Sequence, residues 1–173
     1  MTRSTFFGSE CKIIRNLVHK DLRGEFNRIS DSEWLASRSN FAQVSFSRNH
    51  SKFTLRGLHY QGDEGKESKI ISCLSGAIFD VAVDIRKESK TYLHWDSCIV
   101  KGEDKISLLV PPGFAHGFLT LEDNTDIIYS IDVPFNSLEY AGINPFSQKI
   151  NIKWPMHANH ISTKDASLPE SPR

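Results

Sequence analysis

Thr54-Leu55-Arg56-Gly57-Leu58-His59-Tyr60-Gln61 is the stretch on which the reading of this chain turns. As a β-strand, its period of two sends Leu55, Gly57 and His59 to one face and Arg56, Leu58 and Tyr60 to the other. An imidazole then stands in line with core-facing residues, and a fixed cation occupies the reverse face of the same rigid backbone. Alone, the pattern fits equally well a core histidine bonded to a neighbour, with a solvated arginine behind it. The rest of the chain decides between these readings.

Outward from that strand the sequence is a series of short β-rich runs punctuated by turns. Upstream, Cys11 to His19 reads as a strand, closed by the turn Asp21-Leu22-Arg23-Gly24. Ser30-Asp31-Ser32-Glu33-Trp34-Leu35 is a capped helical turn, and Phe41 to Ser47 is a second strand. Downstream, the charged loop Gly62 to Glu67 leads to Ser68–Leu74. A Ser75-Gly76 turn follows, then Ala77–Arg86, and this pair is expected to form a hairpin. Tyr92–Val100, Ile106–Val110, Phe114–Leu121 and Thr125–Asp132 continue as strands, with Pro111-Pro112-Gly113 as a hard stop. Beyond Pro134 the chain is loop-rich, with one further extended piece at Ile150–Pro155. Strands at this spacing predict an all-β fold, a cupin-like double-sheet jelly roll with a few short helices.

The 173 residues fit one domain, 1–173, whose tail 166–173 is expected to fray. Twenty-one Lys and Arg balance 21 Asp and Glu, so no global field draws the protein to nucleic acid or an anionic membrane, and an anionic ligand must be met by a local cluster. Three scattered cysteines, Cys11, Cys73 and Cys98, without a CxxC pair, argue against a disulfide framework and for a reducing cytoplasm. Met1–Glu10 has neither the apolar run nor the flanks of a signal peptide, and no segment approaches the ~18 apolar residues that cross a bilayer.

Three polar groups interrupt otherwise apolar strands: His59, Lys69 and His116. Unpaired polar groups in a core are costly, so several facing one interior predict a lined pocket, with Tyr129 able to enter its mouth. Two histidines in a cupin-like barrel would also allow a metal. The grouping Gly-x-x-x-x-x-His-x-His is absent, however, and no carboxylate neighbours His59 in sequence, so no metal or other cofactor is expected.

Leu55–Gln61, Phe79–Arg86, Pro112–Phe118 and Lys153–Pro155, with Asp21–Gly24 and Lys164-Asp165, together resemble the dTDP-4-dehydrorhamnose 3,5-epimerase family over nearly the whole chain. The resemblance implies a metal-independent, homodimeric jelly roll that epimerises a nucleotide-linked 4-keto-6-deoxyhexose. Carried over residue by residue, it implies His59 as base, Tyr129 as acid, and Asp165 as the carboxylate that orients His59, with Asp84 as the alternative. It further implies Lys69 and His116 around the sugar, Arg23 and Arg56 toward phosphate or nucleotide, and Gln43 and Lys164 among the substrate-binding residues. The chemistry agrees. A proton beside a ketone is removable when the enolate oxygen is stabilised by an aimed cation, and inversion needs a donor on the opposite face.

Three positions depart from the family pattern. Phe135 stands where a Tyr or Trp is usual near the sugar, which predicts an effect on the ratio of C3 to C5 exchange. Arg28 and Ser45 stand where a glutamate and an asparagine are usual, which predicts a nucleotide preference other than thymidine diphosphate, such as cytidine diphosphate. The competing functions are a single-site epimerase or ketoisomerase on the same scaffold and a non-catalytic sugar-binding cupin. Retention of His59, Lys69 and Tyr129 speaks against the last.

Overall fold

The computed structural model describes residues 3–7, 10–35, 40–63 and 65–173; Met1, Thr2, Gly8 and Ser9 of the N-terminal stretch, residues 36–39, and Glu64 of the charged loop lie outside it. In chain order the strands are β1 (Arg3–Phe7), β2 (Cys11–Arg15), β3 (Val18–Asp21), β4 (Gly24–Asn27), β5 (Gln43–Asn49), β6 (Leu55–Gln61), β7 (Lys69–Ser75), β8 (Ala77–Asp84), β9 (Trp95–Lys101), β10 (Ile106–Val110), β11 (Phe114–Thr120), β12 (Thr125–Ile131) and β13 (Tyr140–Gly142). A single α-helical turn, α1 (Thr163–Ala166), closes the described elements.

Two antiparallel sheets form the body, in the orders β1-β2-β10-β7-β12-β5 and β13-β6-β11-β8-β9, and β3 and β4 make a separate hairpin. This is the double-sheet jelly roll expected from the strand spacing. Ile71, Leu108, Val110 and Ile127 of the first sheet pack between the layers against Ile78, Ala82, Phe114 and Phe118 of the second. Both outer faces are covered as well. Trp34 and Leu35, from the capped turn at Ser32–Trp34, lie on Ile14, Ile70 and Leu109, while Ile143, Ile150 and Trp154 lie on Leu58, Val81, Val83 and Ala115. Burial on both faces is why β7, β8 and β11 read as continuous apolar runs instead of alternating ones.

The Ser75-Gly76 pair does not make a hairpin. β7 bonds to β10 and β12, β8 bonds to β9 and β11, and the turn carries the chain from one sheet to the other. A tight Gly turn looks the same in sequence whether the strands it joins lie side by side or face to face. The Cys11–His19 run is likewise two strands, because the chain turns away from the large sheet after Arg15 to start the β3–β4 hairpin. The tail at 166–173, expected to fray, lies along the body: Pro169 O accepts from Asn144 N at 2.8 Å, Glu170 O from Ser147 Oγ at 2.8 Å, and Arg173 N donates to Tyr60 Oη at 3.0 Å.

Asp84 is fully buried at the end of β8 and accepts hydrogen bonds from Arg86, Ser89 and Thr91, while Arg86 also reaches Glu10 at 2.6 Å. Burial alone would raise the Asp84 pKa; these hydrogen bonds more than reverse that and hold it at about 2, below its ordinary 3.8. A depressed carboxylate contributes stability that is complete above the unfolded value and is lost as pH falls through the folded one. Thermal melts of the wild type should therefore weaken from about pH 4 downward to pH 2. Asp84→Asn should melt lower at neutral pH and show a shallower acid dependence, and equal slopes would remove Asp84 from the acid response.

Candidate active site

A cleft of about 300 Å³ opens between the two sheets. The first sheet contributes Gln43, Ser45 and Ser47 from β5, Lys69 from β7, and Tyr129 and Ile131 from β12. The second contributes Arg56 and His59 from β6, His116 and Phe118 from β11, and Tyr140 from β13. Glu67 and Phe135 reach it from connecting segments.

Simple alternation had put Arg56 and His59 on opposite faces of their strand, yet both line this cleft. The register explains it: His116 pairs with His59 and Phe118 with Arg56, so Gly57 and Leu58 together oppose the single residue Gly117. A bulge of two residues against one restores Arg56 to the face of His59. It also leaves Leu58 and Tyr60 pointing into the apolar layer behind the sheet. Gly57 and Gly117 permit the bulge, since a Cβ on Gly57, at φ +127°, would lie 2.6 Å from the Gly117 Cα.

His59 Nε2 donates to Asp165 Oδ1 at 2.8 Å, which leaves Nδ1 as the nitrogen able to take a proton. Asp165 is buried on α1, and Ser162 caps that turn by accepting from the Asp165 N–H. Its second oxygen accepts from the Gly57 N–H at 3.2 Å, which ties α1 to the bulge. Burial works to raise the Asp165 pKa, but the hydrogen bond and charge of His59, with the Gly57 and Ser162 bonds, bring it below the ordinary carboxylate value. Of the two carboxylates considered for this place, Asp165 is the one beside His59. Asp84 is committed to Arg86, Ser89 and Thr91.

Lys69 is buried, with Nζ 2.6 Å from Glu67 Oε1 and donating to His59 O at 3.1 Å. An ammonium has three donors, so one N–H remains for a ligand. His116 Nε2 donates to Asp80 Oδ2 at 2.7 Å, both side chains being almost wholly enclosed, and burial pushes the Asp80 pKa up against the pull of His116 and Lys69. Tyr129 stands on the facing sheet with its ring 6.4 Å from Phe118, and burial first of all raises its pKa, so the phenol keeps its proton. Arg56 is held by Asn49 Oδ1 at 2.8 Å. Gln43 Nε2 donates to Val133 O, and Gln61 holds the segment bearing Phe135 through Pro134 O and Asn136 N.

Not every expected residue gathers here. Arg23 sits on the exposed β3–β4 turn, paired with Asp21 at 2.6 Å, and Arg28 is paired with Asp31 at 3.1 Å; neither lines the cleft. Lys164 lies at an adjoining opening that shares Arg56, His59 and Tyr140, with its Nζ 4.3 Å over the Tyr140 ring. The sequence reading missed Tyr140, Glu67 and Asp80. Glu67 was legible in principle, since it lies two residues before Lys69 and so shares its side of an extended chain, whereas Tyr140 fell in a stretch without strand character. Among the described residues no cluster of His, Cys, Asp and Glu has a metal-ligating arrangement.

The dTDP-4-dehydrorhamnose 3,5-epimerase family profile matches residues 9–171. The dTDP-4-dehydrorhamnose 3,5-epimerase of Sinorhizobium fredii is 36% identical over 167 residues, covering 93% of this chain and 85% of its own. Among solved structures, an epimerase of Mycobacterium tuberculosis superposes with a TM-score of 0.90 at 29% identity, covering 100% of this chain and 94% of its own. The dTDP-6-deoxy-D-glucose-3,5-epimerase of Legionella pneumophila, in complex with dTDP-4-keto-L-rhamnose, gives a TM-score of 0.88 at 33% identity, covering 99% of this chain and 97% of its own.

Proposed function

The chain belongs to the dTDP-4-dehydrorhamnose 3,5-epimerase family, and we propose that its cleft inverts C3, C5 or both in a nucleotide-diphosphate-linked 4-keto-6-deoxyhexose. The reaction class is isomerisation, in deoxysugar biosynthesis. The observation that carries the residue roles is the His59–Asp165 pair facing Tyr129 across the cleft, with the Lys69 ammonium between strand and ligand space.

The steps follow from that arrangement. His59 Nδ1 takes the proton from the carbon beside the ketone, and Asp165 holds the imidazole and stabilises the imidazolium that forms. The free N–H of Lys69 faces the enolate oxygen and stabilises its charge in a largely enclosed site. Tyr129, on the opposite sheet, returns a proton from the other face, and the configuration is inverted. His116 orients the sugar with Asp80 fixing its ring, Gln43, Arg56, Phe135 and Lys164 complete the substrate contacts, and no cofactor is needed. Incubation with 4-keto nucleotide sugars in deuterium oxide should place deuterium at C3, C5 or both. No exchange with any of them would defeat the proposal, and exchange at one carbon alone would make the enzyme a single-site epimerase.

Of the two departures read as nucleotide-selective, Ser45 lies on the cleft wall and Arg28 does not. Within one chain, base choice therefore rests on Ser45, whose hydroxyl is shorter than an amide and lacks its paired donor and acceptor. Calorimetry with free thymidine and cytidine diphosphates should show Ser45→Asn favouring the thymidine ligand by a few-fold relative to wild type. An equal change for both would exclude Ser45 from base recognition.

We place the protein in the cytoplasm as a single domain that forms a homodimer. Three free thiols suit a reducing compartment, and among the described residues no helix is long and apolar enough to cross a membrane. The β3–β4 hairpin presents exposed Leu22 and Phe26 beside Arg23, a surface that a second copy would cover and a route by which Arg23 would reach a phosphate there. Sedimentation tests the assembly.

A further inference from the structure

Tyr140 opens β13, two residues before Gly142, which pairs with His59. Its ring centroid lies 5.2 Å from that of His59 and 5.6 Å from that of Phe135, and the Lys164 ammonium stands 4.3 Å over its face. These contacts fix the ring and hence the direction of its hydroxyl. The side chain is half-buried on the cleft wall, and among the described residues its hydroxyl has no hydrogen-bond partner. Burial, with the nearby carboxylates of Asp165 and Glu67, pushes the phenol pKa up, so the group is a permanent donor. The cleft thus holds two phenols with different stations: Tyr129 on the sheet facing the base, and Tyr140 on the base's own sheet.

A donor beside His59 would be ill placed to complete an inversion, because it would return the proton to the face it left. It is well placed to hold the sugar. A 4-keto-6-deoxyhexose carries hydroxyls at C2 and C3; the C3 hydroxyl swings when that carbon inverts, whereas the C2 hydroxyl keeps its configuration throughout. A tyrosine fixed on a strand needs a partner that stays put. Resting on the epimerase reading above, we propose that Tyr140 is a substrate-binding residue that determines sugar specificity, its hydroxyl donating to the C2 hydroxyl on the face that His59 deprotonates.

The test is Tyr140→Phe, which keeps the ring and its packing, assayed by kcat/KM and by deuterium exchange on the 4-keto sugar and on its 2-deoxy analogue. The variant should lose about tenfold in kcat/KM on the hydroxylated sugar, the scale of one hydrogen bond in a partly enclosed site. Wild type and variant should then treat the 2-deoxy analogue alike, since the contact is already missing. An undiminished kcat/KM, or an equal loss on both substrates, would overturn the assignment. If the wild type itself exchanges no deuterium with any 4-keto sugar, the epimerase reading falls. If the wild type exchanges and the variant matches it, only the role of Tyr140 falls.

Discussion

Replacing His59 with alanine is expected to lower turnover by ~10²–10⁴, the range for loss of a positioned general base, while leaving the fold intact. The effect should be this large because the described site holds no substitute base in the same place. His116 is directly across the strand pair, but its Nε2 is bound to Asp80 and the couple is enclosed. Lys69 is engaged by Glu67 and by the carbonyl of His59 itself. Stability should fall only modestly, since His59 is partly exposed and Asp165, though it loses the imidazole, keeps its bonds from the Gly57 N–H and within the Ser162-capped turn. Single-turnover exchange of solvent deuterium, measured beside a thermal melt, checks both halves. An alanine variant that still exchanges within about tenfold of wild type would move the base elsewhere in the cleft.

Gly57→Ala is expected to cost about 3 kcal/mol or more, a large share of the 5–15 kcal/mol typical of a domain. Two independent penalties combine. The backbone at φ +127° is one that an alanine adopts only with strain, and the new Cβ would meet the Gly117 Cα at 2.6 Å and the His116 carbonyl oxygen at 3.0 Å. Neither neighbour is a flexible side-chain tip, so relief requires β6 and β11 to separate at the bulge that aims Arg56 and His59. Chemical denaturation measures the loss. A variant as stable as wild type would show that the strands can part there at little cost, and the bulge would no longer count as a fixed element of the site.

Most strands of the body were legible because each run is bounded by its own turn residues, and Pro111-Pro112-Gly113 or Asp21–Gly24 admits few other readings; β1 and β13 were not legible, and β2 and β3 read as one run. His59, Lys69 and His116 were legible as a set because charge inside an apolar strand is costly wherever the strand lies. Sheet membership was not, since strand partners are chosen by contacts distant in sequence; the Ser75-Gly76 turn carries no mark of which layer follows it. The bulge at Gly57 and Leu58 was hidden for the same reason, as it depends on pairing to Gly117, sixty residues later in the chain. Asp165 came from motif resemblance alone, and no local pattern would join a helical turn near the end of the chain to an imidazole on β6. Arg23 and Arg28 show the converse limit, for a motif can name a residue without saying which surface it serves.

The sheet-changing turn after β7 also bears on how the chain reaches this state. Had β7 and β8 zipped together, a microsecond hairpin could have seeded the body early. Instead β7 waits for β10 and β12, and β6 for β11 and β13, so the main layers close only after long stretches of intervening chain have been confined. Such topologies have high contact order and fold on the slow side of the two-state range. Local pairs such as β3–β4 and β8–β9 are free to form first, while the cleft, whose walls come from strands far apart in sequence, is assembled among the last features of the molecule.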